Sequence, residues 1–471
     1  MKTYDVIIVG GGPGGSVAAK VAAEEGLKTI FFERGRKSGE KNSSGCGLGP
    51  RMWRDFPEMM KELTPEKCPS LRAGVYARNY FINKDDEVAG MVMARPTESV
   101  TYEPAKSFIT MNCYRSDFDP WICNFAIAAG AELKTSTLIV DLIKEKGKVV
   151  GVIDEKGEKY RASIIIGADG AISMVAQKSG LRYKWQQHQI TIVPQYDFYV
   201  PPENIDKFMG EEALAVWWGA TFPAAYQVFF RNGFHIGLGN WLTWWDKNPL
   251  YYLNRVVNLK YFQRLIKNLE AKPREVQAHL LPWMADPYDT HTDNVILIGD
   301  AGGFPCPLEA EGIYPAMVTG RIAAQVAAKA ISEGDTSKNF LKLYDEEWRK
   351  TSVGVEFESG AELYHIWSKL PFAPKTMEWF VPMMMEILGG IYDWSEPHTV
   401  RVRQIIDKVR SYSPQFIPFV MQEVFPLLSK VLGDDIKQIN TINDLIQSML
   451  PKKKEPRKKK ERGKLEVTVP K

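Results

Sequence analysis

The stretch YDVIIVGGGPGGSVAAKVAAEEGLKTIFFERG, residues 4–35, limits the possible folds more than any other part of the chain. Val6–Val9 is an apolar run of strand length. Gly10, Gly12 and Gly15 follow in G-x-G-x-x-G spacing, with Pro13 and Gly14 between them, and a small-residue helix begins at Ser16. A second apolar run ends in Glu33, 23 residues after Gly10. Each part has a physical duty. The first glycine permits a tight turn, the second lets a pyrophosphate touch bare backbone, and the third lets helix pack closely on strand. The phosphate charge then meets a helix N-terminus, where N–H groups are unpaired and the dipole favours anions. Glu33 would accept hydrogen bonds from ribose hydroxyls, and an acid there favours a free 2′-hydroxyl, as in FAD or NAD, over a 2′-phosphate. These residues predict a Rossmann-type dinucleotide site.

Later segments return to the same unit. SIIIGADG (163–170) is an apolar strand ending in Ala168, Asp169 and Gly170, and ILIGDAGG (296–303) is another ending in Gly299 and Asp300. Between them, residues 181–285 are rich in strands and aromatics. At this density aromatics usually form a sheet core; here they are expected to roof a large apolar ligand. The expected architecture is α/β, with a discontinuous Rossmann-type domain (1–180 and 286–350), an antiparallel-sheet substrate domain (181–285) and a helical C-terminal region. That region divides into a helical cap, 351–450, and a basic disordered tail, 451–471.

The motif order resembles the FAD-binding fold of the p-hydroxybenzoate hydroxylase type. The likeness rests on the glycine turn with Glu33, RSDFD at Arg115–Asp119, GADG at 167–170 and GDAGG at 299–303. It implies FAD as the cofactor. The turn, Glu33 and Arg34 would hold the ADP half, and Arg115 would contact the cofactor. Ala168, Asp169 and Gly170 would lie under the pyrophosphate, and Asp300 would accept from ribityl hydroxyls. A helix starting near Gly312 and Ile313 would point its N-terminus at the flavin, where negative charge develops on reduction.

Shorter stretches resemble a narrower group, the geranylgeranyl reductases together with FixC-type and electron-transfer-flavoprotein:quinone oxidoreductases. ERGRKSGEKNSSGCG, YVPPENIDKF and AHLLPW are similar to FixC-type segments, and EGIYPAMVTGRIAA matches a helix shared by the whole group. WWGATFP resembles the W-x-F-P element of the reductases, with one extra residue. Two activities follow. In the first, the protein passes electrons to a quinone from electron-transfer flavoprotein subunits through a small ferredoxin-like protein. No cysteine follows Cys306, so the chain lacks the C-terminal cluster segment of the single-chain quinone enzymes. In the second, reduced FAD hydrogenates C=C bonds of an isoprenoid lipid. The FixC-like motifs favour the first.

The five cysteines include no C-x-x-C pair, which argues against a zinc ribbon, a disulfide framework or an internal iron–sulfur cluster. The six histidines show no metal-ligand spacing, so no metal is expected. Cys46 and Cys306 should lie in loops facing the flavin; they and His279 are the weak catalytic candidates. Met1–Asp5 leads straight into a strand, so no secretory leader is expected, and no apolar run reaches the roughly 20 residues a spanning helix needs. Residues 451–464 hold nine Lys/Arg against two Glu, a net +7 in a chain of net +3. Such a block reads first as a solubilising tail and next as a contact for an anionic membrane surface; nucleic acid ranks last, because no aromatics interleave with it. The expected location is cytoplasmic and peripheral, on the cytoplasmic face of a membrane.

Overall fold

The computed structural model describes residues 2–40, 46–94, 108–285, 287–308, 310–369, 374–390 and 398–426. Its first sheet is the predicted dinucleotide unit. Strand Lys2–Val9 lies between Lys159–Gly167 and Thr29–Phe32, and these three with Val295–Leu297 and Glu132–Lys134 run parallel. Alternation along the central strand explains why both faces are covered. Val6 and Ile8 pack with Phe31, Ile164 and Ile166 against the helices, while Ile7 and Val9 pack with Ile30, Phe32 and Ile165 on the other face. Val295–Leu297 joins 128 residues after Gly167, so the domain is discontinuous.

The second sheet has eight strands. It is antiparallel except where Glu212–Gly219 runs parallel to Tyr76–Ile82. That strand and its hairpin partner Val88–Ala94 come from inside the 1–180 stretch that the sequence reading gave to the nucleotide domain. Their alternating pattern resembles any half-buried strand, and only the pairing with Glu212–Gly219 sets their sheet.

One face of this sheet is buried under the helices Pro202–Met209, Pro249–Val257 and Lys260–Leu269, with Trp217, Phe229, Phe234, Leu253 and Phe262 in the core. Trp217 stacks on Tyr80 at 4.2 Å there. The aromatics expected to roof a ligand are thus divided, and the largest share forms sheet core. The opposite face presents Leu214, Tyr226, Val228 and Phe230 with Tyr114 at one end, and Phe81, Trp218 and Ala220 at the other. Helix Pro374–Gly390 lies on this second end, with Met377 and Val381 buried and Met384 and Met385 beside them. The C-terminal region is helical from Ser352 through Phe419 where described. No helix among the described residues is long and apolar enough to cross a membrane. The tail 451–471 lies outside the described residues.

Candidate functional site

The glycine turn is built by close backbone approach. Gly10 has φ +114°, and a Cβ there would stand 2.2 Å from the carbonyl oxygen of Ala168. A Cβ on Gly15 would stand 1.9 Å from the oxygen of Gly10. Neither position tolerates a side chain, because the turn, the helix start and the Ala168 loop share one space. Gly12 is the N-cap of helix Pro13–Glu24 with no side-chain cap bond, and Pro13 opens the first turn. The helix N–H groups are therefore left for an anion. Gly14 faces the other way, where a Cβ would be 2.8 Å from the oxygen of Ala316 on the long helix Ile313–Glu333.

Glu33 follows the second strand and folds back over this turn. Its carboxylate accepts from the amides of Gly11 at 3.2 Å and Gly35 at 2.6 Å. Burial raises its pKa above the usual carboxylate range, opposed by those two bonds. Arg34 is exposed beside it; its charge is felt at Glu33 and at His279.

Asp300 sits at the second crossing. Gly299 has φ +52°, and its N–H donates to Thr319 Oγ1 at 3.2 Å, which ties the strand end to the long helix. A Cβ on Gly312, the N-cap of that helix, would be 3.2 Å from Asp300 Oδ1. So Asp300, Gly312 and Ile313 form one corner. Burial pushes the Asp300 carboxyl up to about 6, with Arg115 opposing. His279, on the second sheet, brings Nε2 to 3.9 Å from Asp300 Oδ2 and bridges the two domains. Its pKa is pushed down to about 4 by burial, then by the charges of Arg115 and Arg34, so it is neutral at pH 7.

Three predicted residues have duties within the protein. Arg115 starts helix Arg115–Ala128 and is held by Asp119 one turn on, through Nε at 2.6 Å and a second nitrogen at 2.7 Å. Burial opposes its charge, but Asp119, Cys46 and Asp300 raise its pKa overall. Its guanidinium is thus a pinned cation in the site wall, and Asp119, the last residue of the RSDFD stretch, is what pins it. Asp169 turns its carboxylate onto the next helix, accepting from Ser173 and from the amide of Val175 at 3.0 Å. It stabilises its own loop; Ala168 and Gly170 (φ +79°) supply the backbone around it. Cys306 is buried, its N–H donating to the carbonyl oxygen of Glu311 at 2.8 Å.

Glu311 is a second residue without a prior role. Its Oε1 accepts from the amides of Ile313 at 2.8 Å and Tyr314 at 2.9 Å, and its Oε2 lies 3.2 Å from Arg51. Arg51 also pairs with Glu356 and stacks over Tyr314 at 4.3 Å. Burial pushes Glu311 up to about 7, with Arg51 opposing. The signal was present, since Glu311 opens the EGI triplet, but Arg51 is 260 residues away.

The residues fit FAD on geometry. One loop cannot accept Cβ atoms at Gly10 and Gly15, a buried carboxylate lies over it, and a second carboxylate stands at the N-terminus of a long helix. The comparisons agree. Over residues 3–357 the chain matches the family described as FAD binding domain. Digeranylgeranylglycerophospholipid reductase 2 of Methanococcoides burtonii is 30% identical over 372 residues, covering 76% of this chain and 82% of that one. Digeranylgeranylglycerophospholipid reductase of Methanocella arvoryzae is 28% identical over 380 residues, 78% of this chain and 88% of that one. Among solved structures, a geranylgeranyl bacteriochlorophyll reductase-like protein from Thermoplasma acidophilum superposes with a TM-score of 0.67 at 22% identity, covering 90% of this chain and 99% of that one. The flavin-dependent brominase Bmp2 reaches 0.60 at 19% identity, covering 87% and 100%. At those identities the two structures speak for the fold alone.

Proposed function

This chain belongs to the FAD-binding domain family and, within it, to the geranylgeranyl reductase group, and we propose that it hydrogenates isoprenoid C=C bonds of a membrane lipid with reduced FAD. That it is an FAD-dependent oxidoreductase follows from the family. The lipid substrate is the finer reading, and the observation that carries it is the 30% identity to a digeranylgeranylglycerophospholipid reductase across 82% of that protein. Electron relay to a quinone, favoured by the short FixC-like motifs, has no comparable support, and its flavoprotein and ferredoxin-like partners have none. Of those motifs, Lys41 and Asn42 fall outside the described residues.

In this reading the glycine turn and Glu33 hold the ADP half, Asp300 the ribityl chain, and the Gly312–Ile313 helix start the ring edge. Bound FAD supplies a two-electron carrier able to deliver hydride. The protein supplies the surroundings. Pinned Arg115 and neutral His279 close the polar side of the site. The sheet face with Leu214, Tyr226, Val228 and Phe230 offers an apolar wall that excludes water. Met377, Met384 and Met385 extend it, and unbranched thioethers suit an irregular prenyl chain.

A lipid substrate also supports the peripheral location on the cytoplasmic face of a membrane. The net +7 of residues 451–464 and the exposed Met91 (53%) and Met93 (61%) fit such a surface. Single-turnover mixing tests the function. Chemically reduced enzyme is mixed with a geranylgeranyl lipid or with a short-chain quinone, and the lipid is then weighed by mass spectrometry. Two added hydrogens per double bond is the expected result. Rapid reoxidation by quinone with the lipid unchanged would return the assignment to electron relay.

A further inference from the structure

Cys46 and Cys113 face each other across the smallest sheet. Strand Gly47–Leu48 pairs antiparallel with Thr110–Asn112 in the register Gly47 to Asn112 and Leu48 to Met111. One step further sets Cys46 opposite Cys113, and the Cys113 N–H donates to the Cys46 carbonyl at 3.3 Å. Directly opposed residues of such a pair have Cα atoms about 4.5–5.5 Å apart, inside the roughly 4.4–6.8 Å that a disulfide spans. The two sulfurs are 3.8 Å apart and both side chains are buried. Burial, and then the contact with Cys46, raises the pKa of the Cys113 thiol. Cys46 has φ +24°, in the left-handed region that a non-glycine residue enters at a cost. This places a strained cysteine beside Arg115, which is held by Asp119 and also interacts with Asp300 of the flavin corner.

We propose that Cys46 and Cys113 form a two-electron dithiol–disulfide couple that exchanges electrons with the FAD of the same chain. The inference rests on FAD binding at the site above and is independent of the lipid assignment. In the oxidising direction both S–H bonds break and one S–S bond forms. Two electrons and two protons pass to oxidised FAD, which becomes the dihydro form. The reverse step restores both thiols and oxidised flavin. The alternative is that two small residues simply pack together, since buried cysteine behaves as a small hydrophobe.

Anaerobic reductive titration of the air-oxidised holoenzyme separates the two. With the couple present, full reduction takes four electrons per FAD; without it, two. Cys46→Ser and Cys113→Ser should each take two, while Cys68→Ser should still take four. Alkylation of the denatured oxidised protein should leave Cys46 and Cys113 unmodified, joined in one cross-linked peptide. Two electrons per FAD in the wild-type protein, with both cysteines alkylated, would overturn the proposal. So would four electrons persisting in Cys113→Ser. If a serine variant fails to retain FAD, the wild-type count and peptide map still decide. None of these readouts uses a lipid, so failure of the substrate assignment is seen separately.

Discussion

Burial of charge shapes this site one residue at a time. Glu33, Asp300 and Glu311 all have carboxyls raised by burial, yet each has a donor or cation that opposes the shift. Asp197, on the second sheet, shows the consequence away from the cofactor. It is 4% exposed, accepts from Gln195 Nε2 at 3.2 Å, and lies 3.9 Å from Arg274. Burial pushes its pKa from 3.8 to about 7, so the fold favours the protonated form. Its contribution to stability is complete below pH 3.8 and is lost as pH rises through about 7. Asp197→Asn carries no proton to lose. Its melting temperature should therefore rise relative to wild type across that window, by the equivalent of on the order of 3 kcal/mol between its ends. Parallel melts from about pH 5 to pH 9 check this; a difference that shrinks with rising pH would contradict it.

At the scale of elements, the helix Ile313–Glu333 organises the site. It packs on the glycine-turn helix so closely that a Cβ on Gly320 would be 2.4 Å from the oxygen of Gly14. It is 21 residues long, and the amides of its first two residues, Ile313 and Tyr314, both donate to Glu311. Above about pH 7, where Glu311 is ionised, it places negative charge at the helix start whose dipole would otherwise favour the reduced cofactor, so the potentials are compared near pH 9. Glu311→Gln removes that charge and keeps an acceptor for the amides. The flavin midpoint potential should become more positive by tens of millivolts, where about 30 mV corresponds to 1.4 kcal/mol for two electrons. Spectroelectrochemical titration of the variant reads this directly. An unchanged or lower potential would mean that Arg51 already neutralises Glu311 completely.

Over the whole molecule, two sheets from interleaved segments meet at His279 and Asp300, and helix Pro374–Gly390 packs on one end of the apolar face of the second sheet. In the proposed lipid reduction this face would guide the prenyl chain toward the flavin. The basic tail would add electrostatic attraction that salt screens. Truncation at residue 450 should leave FAD content unchanged and lower the binding to anionic vesicles, with the loss fading at high salt. Sedimentation of full-length and truncated protein with phosphatidylserine-containing vesicles tests this. Equal binding by both would remove the tail from the membrane role.

The chemistry of local turns could be read from the order of residues alone. The Gly10–Gly15 loop, Glu33 at the strand end, Asp300 after its apolar run and the helix at Ile313 were all legible, because each depends on neighbours within a few residues and on strand or helix period. The local pattern left FAD or NAD open, and FAD followed from the resemblance of the motif order to the p-hydroxybenzoate hydroxylase type. The pairings over long separations were decided only by the tertiary structure. Tyr76–Ile82 enters the second sheet through Glu212–Gly219, His279 arrives beside Asp300, Arg51 reaches Glu311, and Cys46 comes to lie opposite Cys113 across 67 residues. No local pattern encodes these meetings. They follow from how the two sheets close around shared cores, where burying apolar area selects one arrangement and the polar side chains carried with it find their partners.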